Sequence, residues 1–252
     1  ITTMRRDLLL EIGVEELPAQ LVLTARDQLQ RCMPKLLDEA RLPHHTVRAF
    51  ATPRRIGCIV EGLAAKQESA VQEVTGPAKH VAFDQAGQPT AACQGFLKRY
   101  KGRLKDLHVK ETDRGPYVVL RHTLPSAATA RVLKALVPTL IQQLQFPKSM
   151  RWQRARGTGS EAFVFPRPVR WLVVMHGRTT IPVCVGSLTS GHYTVSHRAT
   201  GSHRCAISSA EQYEALMQRQ GIVLDPEARR AATVRAIQGA LSSTEQLADE
   251  AV

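Results

Sequence analysis

The sequence predicts an α+β fold with mainly antiparallel strands and several amphipathic helices. Short apolar runs that end at Gly, Pro or Thr, such as residues 7–13, are typical of strands. Longer segments with apolar side chains at helical spacing, such as residues 18–40, are typical of helices. Strands and helices follow each other without a regular βαβ rhythm, and this favours α+β over a parallel α/β sheet.

The other elements are predicted in chain order from the same periodicities and from turn residues. The predicted strands cover residues 7–13, 46–51, 54–63, 107–111, 117–122, 169–175 and 181–185. The predicted helices cover residues 18–40, 91–100, 126–144, 208–220 and 225–241. Residues 75–77 (Thr-Gly-Pro) are expected to interrupt secondary structure. We expect one domain over residues 1–206 and a helical segment over 207–252.

Several helix starts carry a capping or dipole signal. Ser, Thr and Asp accept hydrogen bonds from the first free N–H groups of a helix, and acidic residues are stabilised near its positive end. The signals are the N-caps Thr90, Ser126 and Asp225, the capping-box pair Ser208 and Glu211, and the acidic pair Glu15 and Glu16.

Composition favours a polyanionic partner. The chain has 252 residues, a formal net charge of +12 and a pI near 10.0. No apolar run approaches the roughly 20 residues that span a bilayer, so we expect no membrane partner. The five cysteines are scattered without CxxC spacing, which favours reduced thiols and a cytosolic protein. His192, His197, His203 and Cys205 lie close in sequence but match no standard zinc spacing, so no metal site is expected.

A basic segment runs from Phe146 to Ala206. It contains nine Lys and Arg residues and one acidic residue, Glu161, and aromatic residues are interleaved with them. Guanidinium groups bind phosphate bidentately and aromatic rings can stack on unpaired bases, so the segment favours RNA binding. Alternatively, Arg151 or Arg170 pairs with a carboxylate such as Glu15 and stabilises the fold. The basic residues are Lys148, Arg151, Arg154, Arg156, Arg167, Arg170, Arg178, Arg198 and Arg204.

The sequence carries no self-contained catalytic signature. A GxxxxGK[ST] phosphate loop, an HExxH zinc motif and a GxSxG nucleophile elbow are all missing from it. The chain alone is therefore not expected to catalyse a reaction.

Six phrases follow one another in a characteristic order. They are EIGVEELP (11–18), ATPRR (51–55), AFDQAGQP (82–89), PKSMRW (147–152), FPRPVRWL (165–172) and SHR (196–198). Together they resemble the N-terminal portion of the β subunit of the bacterial-type, two-subunit glycyl-tRNA synthetase. The chain departs from the family pattern at Val14, which replaces a threonine, and at Ser196, which replaces a glycine. A turn that needs positive φ is expected to change at Ser196.

The resemblance implies a non-catalytic portion of a glycine–tRNA ligase that binds tRNA(Gly) and assembles with the catalytic α subunit. ATP, Mg and glycine are implied for that partner, and no cofactor is implied for this chain. A cytoplasmic or organellar location is implied. The alternative is a structural protein that reuses this domain in a larger ribonucleoprotein or organellar assembly. The candidate RNA-binding residues are Arg54, Arg55, Lys148, Arg151, Arg167, Arg170, His197 and Arg198.

Overall fold

The computed structural model describes residues 4–113, 115–152 and 163–241. The described residues up to 67 and from 127 onward form one compact unit, and residues 68–126 form a second. The expected division between residues 206 and 207 stays a prediction. Arg154, Arg156 and Glu161 of the basic segment lie outside the described residues, as does the predicted helical segment beyond residue 241.

The predicted α+β class is confirmed, with antiparallel strands gathered in small sheets. The strands are β1 (Arg5–Val14), β2 (Val47–Thr52), β3 (Arg55–Ala64), β4 (Ala70–Ala78), β5 (Leu107–Thr112), β6 (Gly115–Leu124), β7 (Met150–Trp152), β8 (Phe163–Phe165), β9 (Val169–His176), β10 (Thr179–Thr180), β11 (Cys184–Val185), β12 (Leu188–Thr189), β13 (Tyr193–Val195) and β14 (Arg204–Ala206). The α-helices are α1 (Ala19–Glu39), α2 (Lys79–Ala82), α3 (Ala91–Tyr100), α4 (Thr129–Gln143), α5 (Tyr213–Arg219) and α6 (Pro226–Ala240).

The first unit is built on an antiparallel sheet in the order β10–β9–β1–β3–β2. Successive side chains of a strand point to opposite faces, and β1 follows this rule. Leu8, Leu10 and Ile12 enter one hydrophobic cluster, whereas Leu9 enters another. Both faces of the sheet are therefore covered, which explains why β1 is a nearly continuous apolar run.

Helices α1 and α4 cover the first face. Leu133, Val137 and Leu140 of α4 are fully buried there, as the helical spacing predicted. The predicted N-cap at Ser126 is wrong, because the helix begins at Thr129. The backbone N–H of Thr129 donates to the carbonyl of Ala65 at 3.0 Å, so the end of β3 fixes the helix start.

Helix α5 covers the opposite face with Tyr213 and Met217, both fully buried. The predicted capping box between Ser208 and Glu211 is wrong. The Ser208 hydroxyl donates to Gln212, and a 3₁₀ turn over Ala210–Gln212 precedes α5. The Glu211 carboxylate instead accepts the backbone N–H of Asp7 at 3.3 Å, which ties this turn to the start of β1.

The second unit is a three-stranded antiparallel sheet in the order β4–β6–β5, packed against α2 and α3. The predicted interruption at residues 75–77 is wrong, because β4 runs through it with an irregular register between Thr75 and Ala78. A Cβ on Gly76 would lie 2.7 Å from the ring of Phe96, so glycine allows α3 to approach the strand. The predicted cap is confirmed, since the Thr90 hydroxyl accepts the N–H of Cys93 at 3.4 Å.

The predicted strand over residues 181–185 is wrong, because only its last two residues form β11. The Ser190 hydroxyl donates to the Ile181 carbonyl at 2.6 Å and accepts the Val183 N–H at 2.8 Å. A side chain therefore satisfies backbone groups that a neighbouring strand would otherwise pair.

Strand β2 forms one edge of the main sheet, and side chains cap its backbone. The Gln30 amide donates to the Val47 carbonyl at 2.7 Å and accepts the Ala49 N–H at 2.8 Å. The Arg229 guanidinium donates to the Ala51 carbonyl at 3.2 Å.

We predict that Leu140→Ala lowers the free energy of unfolding by about 2–5 kcal/mol, because it removes a fully buried side chain from the α4 face. Urea unfolding monitored by circular dichroism measures the loss. Arg131→Ala is the control, because Arg131 is exposed on the same helix and the change should leave stability within about 0.5 kcal/mol. Equal stability of Leu140→Ala and the parent would contradict the assignment of this core.

Candidate nucleic-acid interface

A buried ion pair lies beneath the candidate site. Glu11 of β1 and Arg55 of β3 are 0% and 3% exposed, and Arg55 Nη1 lies 3.5 Å from Glu11 Oε1. The same carboxylate oxygen accepts the Trp171 indole N–H at 3.0 Å and the Thr194 hydroxyl at 2.7 Å. A buried charge needs a charged partner and further hydrogen bonds, and this pair has both.

Gly13 makes room for the pair. It lies opposite Arg55 on β3 and opposite Trp171 on β9. A Cβ on Gly13 would lie 1.9 Å from the Trp171 ring, so only glycine allows the indole to cross the strand at this position. The Arg55 guanidinium lies 5.8 Å from the centroid of that ring, within the range of a cation–π contact.

Arg55, one of the candidate RNA-binding residues predicted from the sequence, is only 3% exposed and directs its guanidinium into the protein. Its Nη2 donates to the Val195 carbonyl at 2.6 Å and its Nη1 to the Thr194 hydroxyl at 3.2 Å. These bonds hold β13 against the start of β3. They bring the phrase SHR, which follows β13, beside the phrase ATPRR.

Ser196 fits this loop without backbone strain. Its φ is not positive, and whether the turn differs from that of the family stays a prediction. Its buried hydroxyl accepts the backbone N–H of His203 at 3.0 Å, and its backbone N–H donates to the His203 carbonyl at 2.9 Å. The serine thus closes the loop that carries His197 and Arg198.

Three polar atoms of the buried cluster have no hydrogen-bond partner within the described part of the chain: Glu11 Oε2, Arg55 Nε and the Tyr213 hydroxyl. Burial raises the pKa of the Tyr213 hydroxyl well above its usual value, and the nearby Glu11 carboxylate raises it further. Tyr213 therefore stays protonated at physiological pH.

A cavity of about 870 Å³ opens above this cluster. It is lined by the turn that joins β2 to β3, the SHR loop, residues 221–223 and one face of α6. The structure brings four of the predicted site residues together at this cavity: Arg54, Arg55, His197 and Arg198.

The arginines beside the cavity, of which Arg54 is partly exposed and Arg198 is exposed, have weak or replaceable partners. Arg54 Nη1 donates to the Ser202 hydroxyl at 3.2 Å, and Arg198 pairs with Glu16 while 71% of its side chain is exposed. His197 Nδ1 accepts the Ala199 N–H at 3.2 Å, which fixes its ring at the start of a short 3₁₀ turn. Exposed ion pairs contribute little to stability, so a phosphate can compete with Glu16 for Arg198.

The expected role of Glu15 and Glu16 at the helix dipole is wrong, since the first turn of α1 contains no acidic residue. Glu16 pairs with Arg198, and Glu15 pairs with Arg170. The Arg170 contact is the carboxylate pairing predicted from the sequence as the alternative to RNA binding for this arginine. Both pairs link residues more than 150 positions apart, which local sequence patterns do not reveal.

Arg229 of α6 also lines the cavity and is not among the residues predicted from the sequence. Its Nη1 donates to the Val223 carbonyl at 2.9 Å. Burial lowers the pKa of this guanidinium, whereas the nearby Asp225 raises it, and an arginine remains charged in either case. The position of Arg229, one turn after the predicted N-cap Asp225, is the sequence signal that could have identified this arginine. The structure confirms the cap, because the Asp225 carboxylate accepts the Ala228 N–H at 2.6 Å.

The other candidates lie elsewhere in the first unit. Lys148, Arg151 and Arg167 are exposed and do not line this cavity. Their assignment to RNA binding stays a prediction.

Among the described residues, no group of three or more His, Cys, Asp or Glu side chains is placed to hold a metal ion. None of the helices in the described ranges is long and apolar enough to cross a bilayer.

Comparisons with known proteins agree on one family. A family model described as glycyl-tRNA synthetase beta subunit matches residues 8–251. The chain is 38% identical over 229 residues to a glycine–tRNA ligase beta subunit of Syntrophotalea carbinolica, covering 90% of this chain and 32% of that protein. It is 36% identical over 239 residues to the corresponding subunit of Myxococcus xanthus, covering 95% and 33%.

A plant protein is similar as well. The chain is 36% identical over 225 residues to the glycine–tRNA ligase, chloroplastic/mitochondrial 2, of Arabidopsis thaliana, covering 89% of this chain and 20% of that protein. The chain thus spans about a third of the bacterial relatives and a fifth of the plant protein.

We predict that Glu11→Gln and Arg55→Met each lower the free energy of unfolding by about 3–5 kcal/mol, because each leaves the other buried group without its partner. Urea denaturation of both single variants and of the double variant measures the coupling. The double variant should lose clearly less than the sum of the two single losses. Additive losses would show that the two side chains do not depend on each other.

Proposed function

The chain belongs to the glycyl-tRNA synthetase β-subunit family, and from this premise we propose that it is a non-catalytic N-terminal portion that binds tRNA(Gly) and assembles with the catalytic α subunit. Its role in a glycine–tRNA ligase follows from the family. The tRNA contact and the partner subunit are the proposed steps.

The tRNA contact is supported by one observation: Arg54 lines the same cavity as His197 and Arg198, which come from a distant part of the chain. Phosphate oxygens accept bidentate hydrogen bonds from guanidinium groups, and phosphate contacts supply most of the affinity in nucleic-acid binding. Beneath them, Arg55 positions the SHR loop through its bond to Val195. In this proposal Arg54 and Arg198 bind phosphate and Arg55 is a positioning residue.

In this proposal the α subunit binds ATP, Mg and glycine, and the present chain needs no cofactor. A location in the cytoplasm or in an organelle agrees with relatives from bacteria and with a chloroplastic/mitochondrial one. Co-purification tests the partnership: the tagged chain should bring down both an α subunit and tRNA(Gly). Recovery of other ribonucleoprotein components in their place would favour a structural role in a larger assembly.

We expect the purified chain alone to form no glycyl-adenylate, because its sequence holds no recognisable nucleotide-binding or acyl-transfer constellation. Glycine-dependent exchange of labelled pyrophosphate into ATP measures this step. Exchange well above a blank reaction, and abolished by heating the chain, would overturn the division of labour.

We expect Arg54→Gln and Arg198→Gln each to reduce the salt slope of tRNA(Gly) binding by about one unit, because each removes one phosphate contact. Thermal stability should stay near that of the parent, since each side chain has one polar partner within the described part of the chain. Filter binding across a salt series gives the slope. Arg131→Gln removes an equal charge from an exposed site on α4 and should leave the slope unchanged.

The opposite effect, tighter binding of tRNA(Gly), is expected for Glu16→Gln, because this change frees Arg198 for phosphate. Affinity should rise by up to about 5-fold, the range of an exposed ion pair. Glu39→Gln controls for the loss of one negative charge at an exposed site on α1. If both arginine variants retain the parent slope and Glu16→Gln binds no tighter than Glu39→Gln, these arginines do not contact the RNA.

A further inference from the structure

We propose that the cavity beside α6 binds one unpaired nucleotide of the RNA, with its phosphate on the arginines and its base against the aliphatic wall. This inference rests on the proposed function, because it takes RNA as the ligand. It adds that part of the RNA enters the protein and does not merely lie along its surface.

The size of the cavity fits such a ligand. Its volume of about 870 Å³ lies within the roughly 300–1,000 Å³ of small-molecule sites. Helix α6 supplies Arg229, Ala232, Thr233 and Ala236, which are spaced i, i+3, i+4 and i+7 and so share one face. Small side chains at three of these positions leave the space open.

Charge and apolar surface are both present around the same space. Arg54 and Arg198 lie on one side, and Arg229 lies on the α6 side, where three backbone carbonyls hold its guanidinium in place. Ile222 and Val223 add aliphatic surface beside the alanines of α6. A phosphate can bind to the arginines, and the flat face of a base can pack against the aliphatic side chains.

The lining also predicts how the base is recognised. The described residues that line the cavity include no Phe, Tyr or Trp, so stacking has to use the His197 ring, guanidinium planes and aliphatic surface. The hydroxyls of Thr52, Ser196 and Thr233 are nearby polar groups, of which Ser196 is already bonded to His203 and Thr233 to the Arg229 carbonyl. We therefore expect a strong requirement for the phosphate and a weak preference among bases.

The cavity requires an unpaired nucleotide, because a base within a duplex is stacked on both faces and paired along one edge. Only a base from a loop, a bulge or an end can enter a concave site. The phosphates of a duplex can still lie on the exposed arginines, so duplex binding and cavity binding are separable.

The test fills the cavity without changing its charge. Ala236→Phe places a ring on the cavity face of α6, whereas Ala231→Phe places the same ring on its exposed opposite face. Ala232→Leu is a smaller filling variant that serves if Ala236→Phe lowers the thermal unfolding midpoint. NMR titrations with adenosine 5′-monophosphate, adenosine and inorganic phosphate measure binding to the cavity.

We expect the monophosphate to bind more tightly than either adenosine or inorganic phosphate, and short single-stranded RNA and tRNA(Gly) to displace it at lower concentrations than blunt duplex RNA does. Filling the cavity should weaken monophosphate and tRNA binding at least about 10-fold and leave the salt slope at the parent value, because no charge is removed. Ala231→Phe should behave as the parent does.

The proposal is overturned if both filling variants bind the monophosphate and tRNA(Gly) as the parent does. It is equally overturned if the monophosphate binds but RNA does not displace it, which would identify a site for a free nucleotide. A reduced salt slope in Arg54→Gln, together with unchanged binding in the filling variants, would leave surface binding of RNA intact and remove only the cavity. Failure of the arginine and the filling variants alike to alter RNA binding would remove both.

Discussion

The ion pair between Glu11 and Arg55 is the constraint on which the rest of the first unit depends. Both charges are buried between the main sheet and α5, and neither is stable there without the other. The pair restricts which residues can surround it. Gly13 has to lack a side chain, and Trp171 has to direct its N–H at the carboxylate. Four strands, β1, β3, β9 and β13, are joined through this single polar cluster.

The same cluster separates the roles of two adjacent arginines. Arg55 is the first residue of β3 and turns inward, where it bonds the end of β13. Arg54 lies one position earlier, in the turn, and lines the cavity with a partly exposed side chain. Under the proposed function, a substitution at either residue would weaken RNA binding, but at Arg55 the cause would be a displaced SHR loop. Stability therefore has to be measured beside affinity at every arginine of this site.

Much of the framework was predictable, because strands and helices with continuous apolar faces show a characteristic pattern in the local sequence. The segments that form β1 and α4 have such a pattern, and the Asp225 cap of α6 is also a local sequence signal. The inward direction of Arg55 was not predicted, since its partner Glu11 lies 44 positions earlier and only folding brings them together. A carboxylate inside an apolar strand was the available hint, because such a group requires a buried cation. Similarly, nothing local in β4 revealed that Phe96 would pack on Gly76.

The capped edge of β2 restricts how this unit can associate with other chains. An open edge strand offers unpaired N–H and C=O groups as a template on which another strand can add. Here Gln30 and Arg229 already occupy such groups on Val47, Ala49 and Ala51. A partner chain that approaches this edge meets side chains already bonded to the backbone, so extension of the sheet across a subunit boundary is disfavoured. Assembly at this edge would have to proceed through side-chain surfaces, and the same capping protects the unit against edge-to-edge aggregation.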